Sequence, residues 1–419
     1  MNKKIILVFL FLYSSAFSSP GDKITGEITS ALKRLPSSTD YSILIINPLT
    51  EDTLFAHNPG QSRIPASNTK LFTTSTALSL MGGDYCLSTK LLTDGTVDRN
   101  GVINGNLYIK GYGNSVFTEE DLIGMVEELK RLGITKITGN IIGDDSFFDE
   151  IYSRDDWIRD EVANVKLPPI SALVLDRNRE LVRRRIRTKR GRIITRSYYY
   201  NVKDPPLHAA SVLRDKLKEH GIKVSKPAIK GVAKGEIDTL CASRIRLRDL
   251  IKLINKHSDN FLAECLFKTI GAYYSGSQGN SFYSTQAVIK FIKDNGIFSE
   301  GTSVVDGSGI SRFDQVTVGA VAGLLEKMYF DMKHFQDFYN SLSIAGVDGT
   351  LRHRMKDTAA EDNFHGKTGT LKGVSSLSGY LKTQDGNELV VSMMFEFKAG
   401  GTNLHREIED RIVEILAGL

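Results

Sequence analysis

Both ends of the chain carry strands that need a partner, and this constrains the fold more than any other feature. Near the start, a helical spacing of apolar residues over 24–35 stops at Pro36. YSILIINPL (41–49), rich in β-branched residues and closed by Asn47 and Pro48, then reads as a strand that DTLFAHNPG can join. A helix opens at Ser67, with Leu71, Ala77, Leu78 and Met81 along an apolar side. The far end reads strand, strand, helix in LSGYLKT, ELVVSMMFEF and LHREIEDRIVEILAGL. A lone pair of strands is marginal in water, so one sheet built from both ends and covered by helices is expected. The result is an α/β (α+β) unit made of residues 19–85 and 240–419, interrupted by a long insertion.

The insertion, 86–239, changes to short strands in STKLLTDGTV, GVINGNLYIKGYG and KITGNIIGDDSFF, with helices expected over 119–132 and 207–220. It is expected to be mostly β and to form two small subdomains, 86–155 with 205–239, and 156–204. In the second, KRGR reads as a hairpin turn between two basic strands. Charge is concentrated there. The chain has 54 basic against 49 acidic side chains, yet the segment between Arg177 and Arg196 holds ten Lys or Arg and one acid, Glu180. Arg183, Arg185 and Arg187 alternate so as to share one strand face.

MNKKIILVFLFLYSSAFSS begins with Lys3 and Lys4, continues through an apolar run over 5–13 and reaches small residues at Ala16 and Ser18. This is the pattern of a secretory signal over 1–18, cleaved after Ser18. No later segment holds the roughly 18 uninterrupted apolar residues of a membrane span, and no cysteine follows the run as a lipid attachment point. The mature chain is expected beyond the membrane. Cys86, Cys241 and Cys265 form no metal-binding spacing; a bridge between two is chemically open outside the cytoplasm and would leave the third unpaired.

RIPASNTKLFTTSTALSL places Lys70 one helical turn after Ser67, on the same face. Taken locally, Ser67 is equally a helix cap beside a solvated lysine, and ITSALKRL repeats the spacing at Ser30 and Lys33. A nucleophilic serine needs a proton acceptor, and a lysine serves only if burial or a nearby positive charge lowers its pKa. KHSDNFLAE offers Ser258 as a proton relay and Asn260 as a partner for a substrate amide, or simply a polar turn between helices. FHGKTGTLKGVSSLSGYL holds Lys367, Thr368 and Gly369: a cation to lower the Lys70 pKa and attract a carboxylate, a short hydroxyl, and a glycine that permits close approach. A serine at a helix start, an S-x-N turn and KTG before strands of the same domain form the arrangement of serine acyl-transfer enzymes with a lysine base.

In that order, PASNTKLFTT, HSDNFLAE and GKTGTLKGVSSLSGY resemble the three active-site motifs of low-molecular-mass class C penicillin-binding proteins. The family is that of penicillin-binding protein 4, the D-alanyl-D-alanine carboxypeptidases and endopeptidases of peptidase family S13. GNLYIKGYG, PPISAL and DGSGISR (306–312) resemble its connecting motifs, while GYGNSVF (111–117) departs from its Gly, Asp, Pro signature. The 191-residue separation of Ser67 and Ser258 is the most diagnostic trait, since related β-lactamases place the two motifs closer.

The resemblance implies a penicillin-binding protein/serine β-lactamase-like transpeptidase fold with a large, mostly β insertion. It implies Ser67 as acyl-ester nucleophile, Lys70 as general base, Ser258 as proton relay, Asn260 for substrate positioning and Lys367 for carboxylate binding and electrostatics. Thr368, Gly369 and Thr370 would bind substrate, the amides of Ser67 and Thr370 forming an oxyanion hole. The implied substrates are peptidoglycan pentapeptide stems and D-alanyl-meso-diaminopimelyl cross-links in the periplasm, with β-lactams as covalent inhibitors and no metal or organic cofactor. A serine β-lactamase or esterase is the alternative enzyme, disfavoured because no glutamate motif for a deacylating water is evident. A non-catalytic cell-wall binding protein is the other, disfavoured by the intact polar set. The secretory signal and the absence of a recognition motif argue against nucleic acid; the basic hairpin is expected to be a solvated face or to meet anionic cell-wall polymers or lipid headgroups.

Overall fold

In the computed structural model, which describes residues 20–157, 167–189 and 191–419, a strand from the start of the chain lies beside one from its end. Asp40–Ile46 pairs antiparallel with Glu388–Glu396, from Asp40 opposite Glu396 to Ile46 opposite Val390. The sheet has six strands in the order Ser343–Ile344, His365–Leu371, Val374–Lys382, Glu388–Glu396, Asp40–Ile46, Thr53–His57, all pairs antiparallel. The apolar run of ELVVSMMFEF, interrupted between Leu389 and Phe395 only by the buried Ser392, follows from burial on both faces. Val390 and Met394 face a core of helices, whereas Val391 and Met393 face a second core shared with Ile408 and Ile412 of Gly401–Ala417 and with Ile28 of Pro20–Leu32. The expected signal segment lies outside the described residues.

The first core is built around Thr69–Met81 and Asn260–Ser275, flanked by Leu247–His257, Ser281–Asp294 and Val318–Phe330. The sequence spacing predicts an apolar stripe on the helix after Ser67, but every residue from Thr69 to Leu78 is buried. A helix enclosed on all sides has no stripe to display. Several of its hydroxyls donate to carbonyls: Thr73 Oγ1 to Gly307 O at 2.8 Å and Thr74 Oγ1 to Lys70 O at 2.8 Å, while Thr76 Oγ1 is buried without a hydrogen-bond partner.

Between Cys86 and Arg246 the chain builds other sheets. One runs Ala228–Lys230, Ile141–Asp144, Leu107–Tyr112, Cys86–Thr93, Asp238–Arg246; a smaller one runs Lys223–Val224, Lys136–Ile137, Val102–Asn104, Thr96–Val97. Glu119–Arg131 and Pro205–Glu219 bury Leu122, Val126, Leu213 and Leu217 in the core beside them. The composition change near residue 240 falls inside Asp238–Arg246, which stays paired until Arg246 lies opposite Cys86. As a half-exposed edge strand it carries polar residues before its pairing ends. Arg179–Arg187 and Ile193–Asn201 form the expected hairpin, a separate two-stranded ribbon exposed along most of its length. All three cysteines are free thiols: Cys86 exposed, Cys241 partly buried and Cys265 buried. Among the described residues no helix is long and apolar enough to cross a membrane.

Candidate active site

Ser67 sits in a short 3₁₀ turn, Ala66–Asn68, so the α-helix that its spacing predicts begins two residues later, at Thr69. The turn is strained and held from two sides. Ala66 has a left-handed φ of 48°, and a Cβ on Gly309 would stand 1.8 Å from Ala66 O. From the sheet, Ser376 Oγ donates to Pro65 O at 2.8 Å, and Ser378 Oγ accepts from Asn68 Nδ2 at 3.0 Å. From the 306–314 loop, Asp314 Oδ2 accepts from Thr69 Oγ1 at 3.2 Å. The backbone around Ser67 is therefore fixed from both sides.

Lys70 is fully buried, its Nζ 2.9 Å from Ser67 Oγ, 2.7 Å from Asn260 Oδ1 and 2.5 Å from Ser308 O. The last two oxygens can only accept. A neutral lysine amine has two N–H bonds and one lone pair, so these acceptors use both hydrogens and leave the lone pair facing Ser67. Burial lowers the Lys70 pKa to about 8, against the upward pull of Asp306, Glu264, Asp259 and Asp314. The sequence assigns this lowering to Lys367; in the structure burial is the chief cause. Lys367 is itself held well below the usual lysine range, by burial first and then by the charge of Lys70.

Leu247–His257 ends at Ser258, which is left-handed with φ 53° and ψ 42°; Asp259 caps the next helix by accepting from Leu262 N at 3.0 Å, and Asn260 is its first residue. This turn sends Asn260 to Lys70, while Ser258 Oγ accepts from Lys367 Nζ at 2.9 Å. Ser67 with Lys70 and Ser258 with Lys367 are thus two serine–lysine pairs joined through the S-D-N turn. The sequence places Ser258 as a relay from Lys70, but its hydrogen-bond partner here is the other lysine. On the same strand as Lys367, a Cβ on Gly369 would stand 2.1 Å from Ser376 Oγ, 2.7 Å from Pro65 O and 3.0 Å from Ser67 N, so only glycine lets the KTG strand pass this close to Ser67. Thr368 Oγ1 donates to Thr350 Oγ1 at 2.8 Å, and Thr370 Oγ1 accepts from Arg406 Nη2 at 2.9 Å. Ser67, Ser258, Asn260, Thr368 and Thr370 open onto one cleft of about 680 Å³.

Two supports were not read from the sequence. Asp306 accepts from the N–H groups of Ser308, Gly309 and Ser311 at 3.1, 2.7 and 2.8 Å, shaping the turn that aims Ser308 O at Lys70. Beside it, Asp314 is pushed well above the usual carboxyl range by burial and then by the charge of Asp306, and Glu264 is pushed up to about 8 by the same causes. DGSGISR signals a turn, but nothing in it marks a carbonyl facing a lysine 238 positions away. The second support is Arg177, which forks onto Asp259 with Nη1–Oδ2 and Nη2–Oδ1 both at 2.9 Å and lies 4.9 Å over the Phe261 ring. Asp176, Arg177 and Asn178 all have left-handed φ, at 47°, 58° and 53°. The base of the basic ribbon thereby grips the S-D-N turn.

The peptidase S13 model, described as the D-Ala-D-Ala carboxypeptidase 3 (S13) family, matches residues 24–197 and 190–419. The chain belongs to this S13 family. It is a D-Ala-D-Ala carboxypeptidase by that membership, as the sequence motifs imply. Among S13-like relatives, the D-alanyl-D-alanine carboxypeptidase of an Actinomadura species is 27% identical, over 90% of this chain and 80% of its own length. The D-alanyl-D-alanine carboxypeptidase DacB of Haemophilus influenzae is 25% identical, over 90% of each. Penicillin binding protein 4 of Haemophilus influenzae shares the fold with a TM-score of 0.82 over 94% of this chain and 99% of that one, at 22% identity. A predatory endopeptidase of Bdellovibrio bacteriovorus, solved with an immunity protein, matches at a TM-score of 0.57 and 16% identity over 91% of this chain and 94% of that one. The fold is therefore the penicillin-binding-protein type expected from the motifs.

Proposed function

We propose that Ser67 is the acyl-ester nucleophile of this S13 enzyme and that Lys70 is its general base. The observation that carries this reading is the Lys70 amine, buried, with both N–H directions claimed by Asn260 Oδ1 and Ser308 O and with Ser67 Oγ 2.9 Å away. Ser67 Oγ attacks the carbonyl between two D-alanines as its proton passes to Lys70. The amides of Ser67 and Thr370 receive the oxyanion. Collapse breaks the C–N bond as Ser258 passes a proton to the departing amine and is resupplied by Lys367, which takes up in turn the proton that Lys70 received. Neutral Lys70 then accepts a proton from the attacking water and returns it to Ser67 Oγ as the ester C–O bond breaks. Asn260 fixes Lys70 and meets the substrate amide, and Gly369 keeps the KTG strand against the nucleophile.

Supporting a peptidoglycan substrate are the S13 membership and the relatives' names. The same chemistry extends to D-alanyl-meso-diaminopimelyl cross-links, and β-lactams would trap Ser67 as a stable ester. The enzyme acts in the periplasm after loss of residues 1–18, with a catalytic domain from both chain ends, an accessory domain between Cys86 and Arg246, and the basic ribbon meeting anionic wall polymers or lipid headgroups. Digestion of purified peptidoglycan with mass analysis of the products tests the substrate. Release of D-alanine and conversion of cross-linked dimers to monomers are expected; intact pentapeptides and dimers would exclude both activities.

A further inference from the structure

A second cavity adjoins the S-D-N turn through Arg177. It encloses about 670 Å³, close to the 680 Å³ of the catalytic cleft, and is lined by the base of the basic ribbon and by residues of the helices Glu119–Arg131 and Pro205–Glu219. Arg177 lines it and forks onto Asp259, which stands between Ser258 and Asn260, both on the catalytic cleft. One ion pair thus links the two cavities. The apolar lining comes from Phe117 and Leu175, both buried, and the half-buried Val212. Leu181 and Tyr199 of the ribbon complete it at 41% and 69% exposure; they are register partners and project from one ribbon face. Two large exposed side chains beside an apolar hollow form a ligand groove rather than a solvated arm.

The charges of the groove describe what would fill it. Glu119 Oε1 is held by Lys216 Nζ at 2.7 Å and Arg177 by Asp259. Asp176, Glu180 and Arg179 also line the groove, and among the described residues none of the three has an opposite charge within 4 Å. Asp176 Oδ1 accepts only from Glu119 N, at 3.3 Å, and burial, then the charge of Glu119, raises its carboxyl above the usual range. A bound cation would relieve both costs. The fitting occupant has a short apolar backbone, an ammonium for the two acids and a carboxylate for Arg179. A peptidoglycan stem peptide that has lost its D-alanines has this form, because its diaminopimelyl residue carries an ammonium and carboxylates.

Given the peptidoglycan reading above, on which this rests, we propose that the groove at the ribbon base is a second, non-catalytic site that holds a stem peptide of the polymer while another stem is cleaved at Ser67. A polymer that carries stems at intervals can fill both cavities at once. The groove then favours the polymer over a free peptide without any change at the reacting carbonyl.

The test titrates the whole protein, first acylated at Ser67 by penicillin so that the catalytic cleft is filled, with the tripeptide L-alanyl-γ-D-glutamyl-meso-diaminopimelic acid, which holds no bond between D-alanines. Calorimetry should show one tripeptide per chain. Tyr199→Ala should weaken binding by about fivefold or more, and Asp176→Asn by about tenfold. Asparagine tolerates the left-handed φ of 47° as aspartate does, and Tyr199 is exposed, so both variants are expected to fold. Acetylating the diaminopimelyl amine should cost about as much as Asp176→Asn. Tyr199→Ala should also slow cleavage of purified peptidoglycan and leave turnover of a short soluble peptide within about twofold of wild type. No binding to the acylated protein, binding that neither variant weakens, or equal affinity for the acetylated tripeptide would overturn the inference. Polymer cleavage that Tyr199→Ala leaves unchanged, or slows no more than cleavage of the short peptide, would overturn it as well. A wild-type protein that takes no penicillin on Ser67 overturns the acyl-enzyme reading instead, and the same variants titrated in the unmodified protein still decide the groove.

Discussion

Asn260→Asp tests the electrostatic design of the site. With a Lys70 pKa of about 8, roughly one molecule in ten carries the neutral amine at pH 7, against about one in 3,000 at the ordinary lysine value, a gain of about 300-fold in competent base. The substituted carboxylate would keep an acceptor where Asn260 Oδ1 now stands, 2.7 Å from Nζ, but would add a negative charge. An opposite charge at this range favours the protonated amine and raises its pKa by about two units. The neutral fraction at pH 7 then falls to about one in 1,000, so acylation slows about 100-fold. The assay is the second-order rate of labelling by a fluorescent penicillin between about pH 6 and 10.5. In wild type the rate should rise about tenfold per pH unit and level off near 8; in the variant the rising limb should move up by about two units and the deficit should shrink at high pH. A loss that is equal at every pH, with the inflection still near 8, would refute the assignment of Lys70 as the titrating base.

Gly369→Ala should reduce acylation by at least about 100-fold with a modest loss of stability of about 1–3 kcal/mol, because its Cβ would meet Pro65 O at 2.7 Å and Ser67 N at 3.0 Å; acylation rate and thermal melting check it together. Arg177→Ala should slow acylation by about tenfold through loosening of the S-D-N turn, and Arg177→Lys should not restore it fully because one ammonium cannot reproduce the fork onto Asp259. Replacing Arg183, Arg185 and Arg187 together by Ser should weaken salt-sensitive binding to purified cell walls or anionic vesicles, with turnover of a soluble peptide unchanged; co-sedimentation across a salt series measures it. Phe267→Ala should cost about 3–5 kcal/mol, since its ring is fully enclosed in the helical core; chemical denaturation reads that loss.

The sheet shared by the two chain ends was legible because ELVVSMMFEF and YSILIINPL are too apolar to stay exposed and too short to pair alone. The hairpin at KRGR was legible from its turn: Gly191 takes a left-handed φ of 77° and its N–H closes onto Thr188 O at 2.9 Å. The candidate site was visible as a set of residue types in a fixed order. What the order could not convey was its wiring. Whether Ser258 bonds Lys70 or Lys367 depends on the left-handed turn after His257, and no residue-type preference marks a serine for that conformation. Ser308 acts through a carbonyl that every residue possesses, so sequence carries no sign of it. The polar residues of Thr69–Met81 likewise read as an exposed helix side until the 306–314 loop is folded over them.

The most direct measurement of the central claim is the intact mass of the protein after brief exposure to a β-lactam, followed by peptide mapping. One added β-lactam mass, located on the peptide that contains Ser67 and absent from Ser67→Ala, is the result expected. An unmodified wild-type protein, or an adduct that persists in Ser67→Ala, would contradict a Ser67 acyl-enzyme.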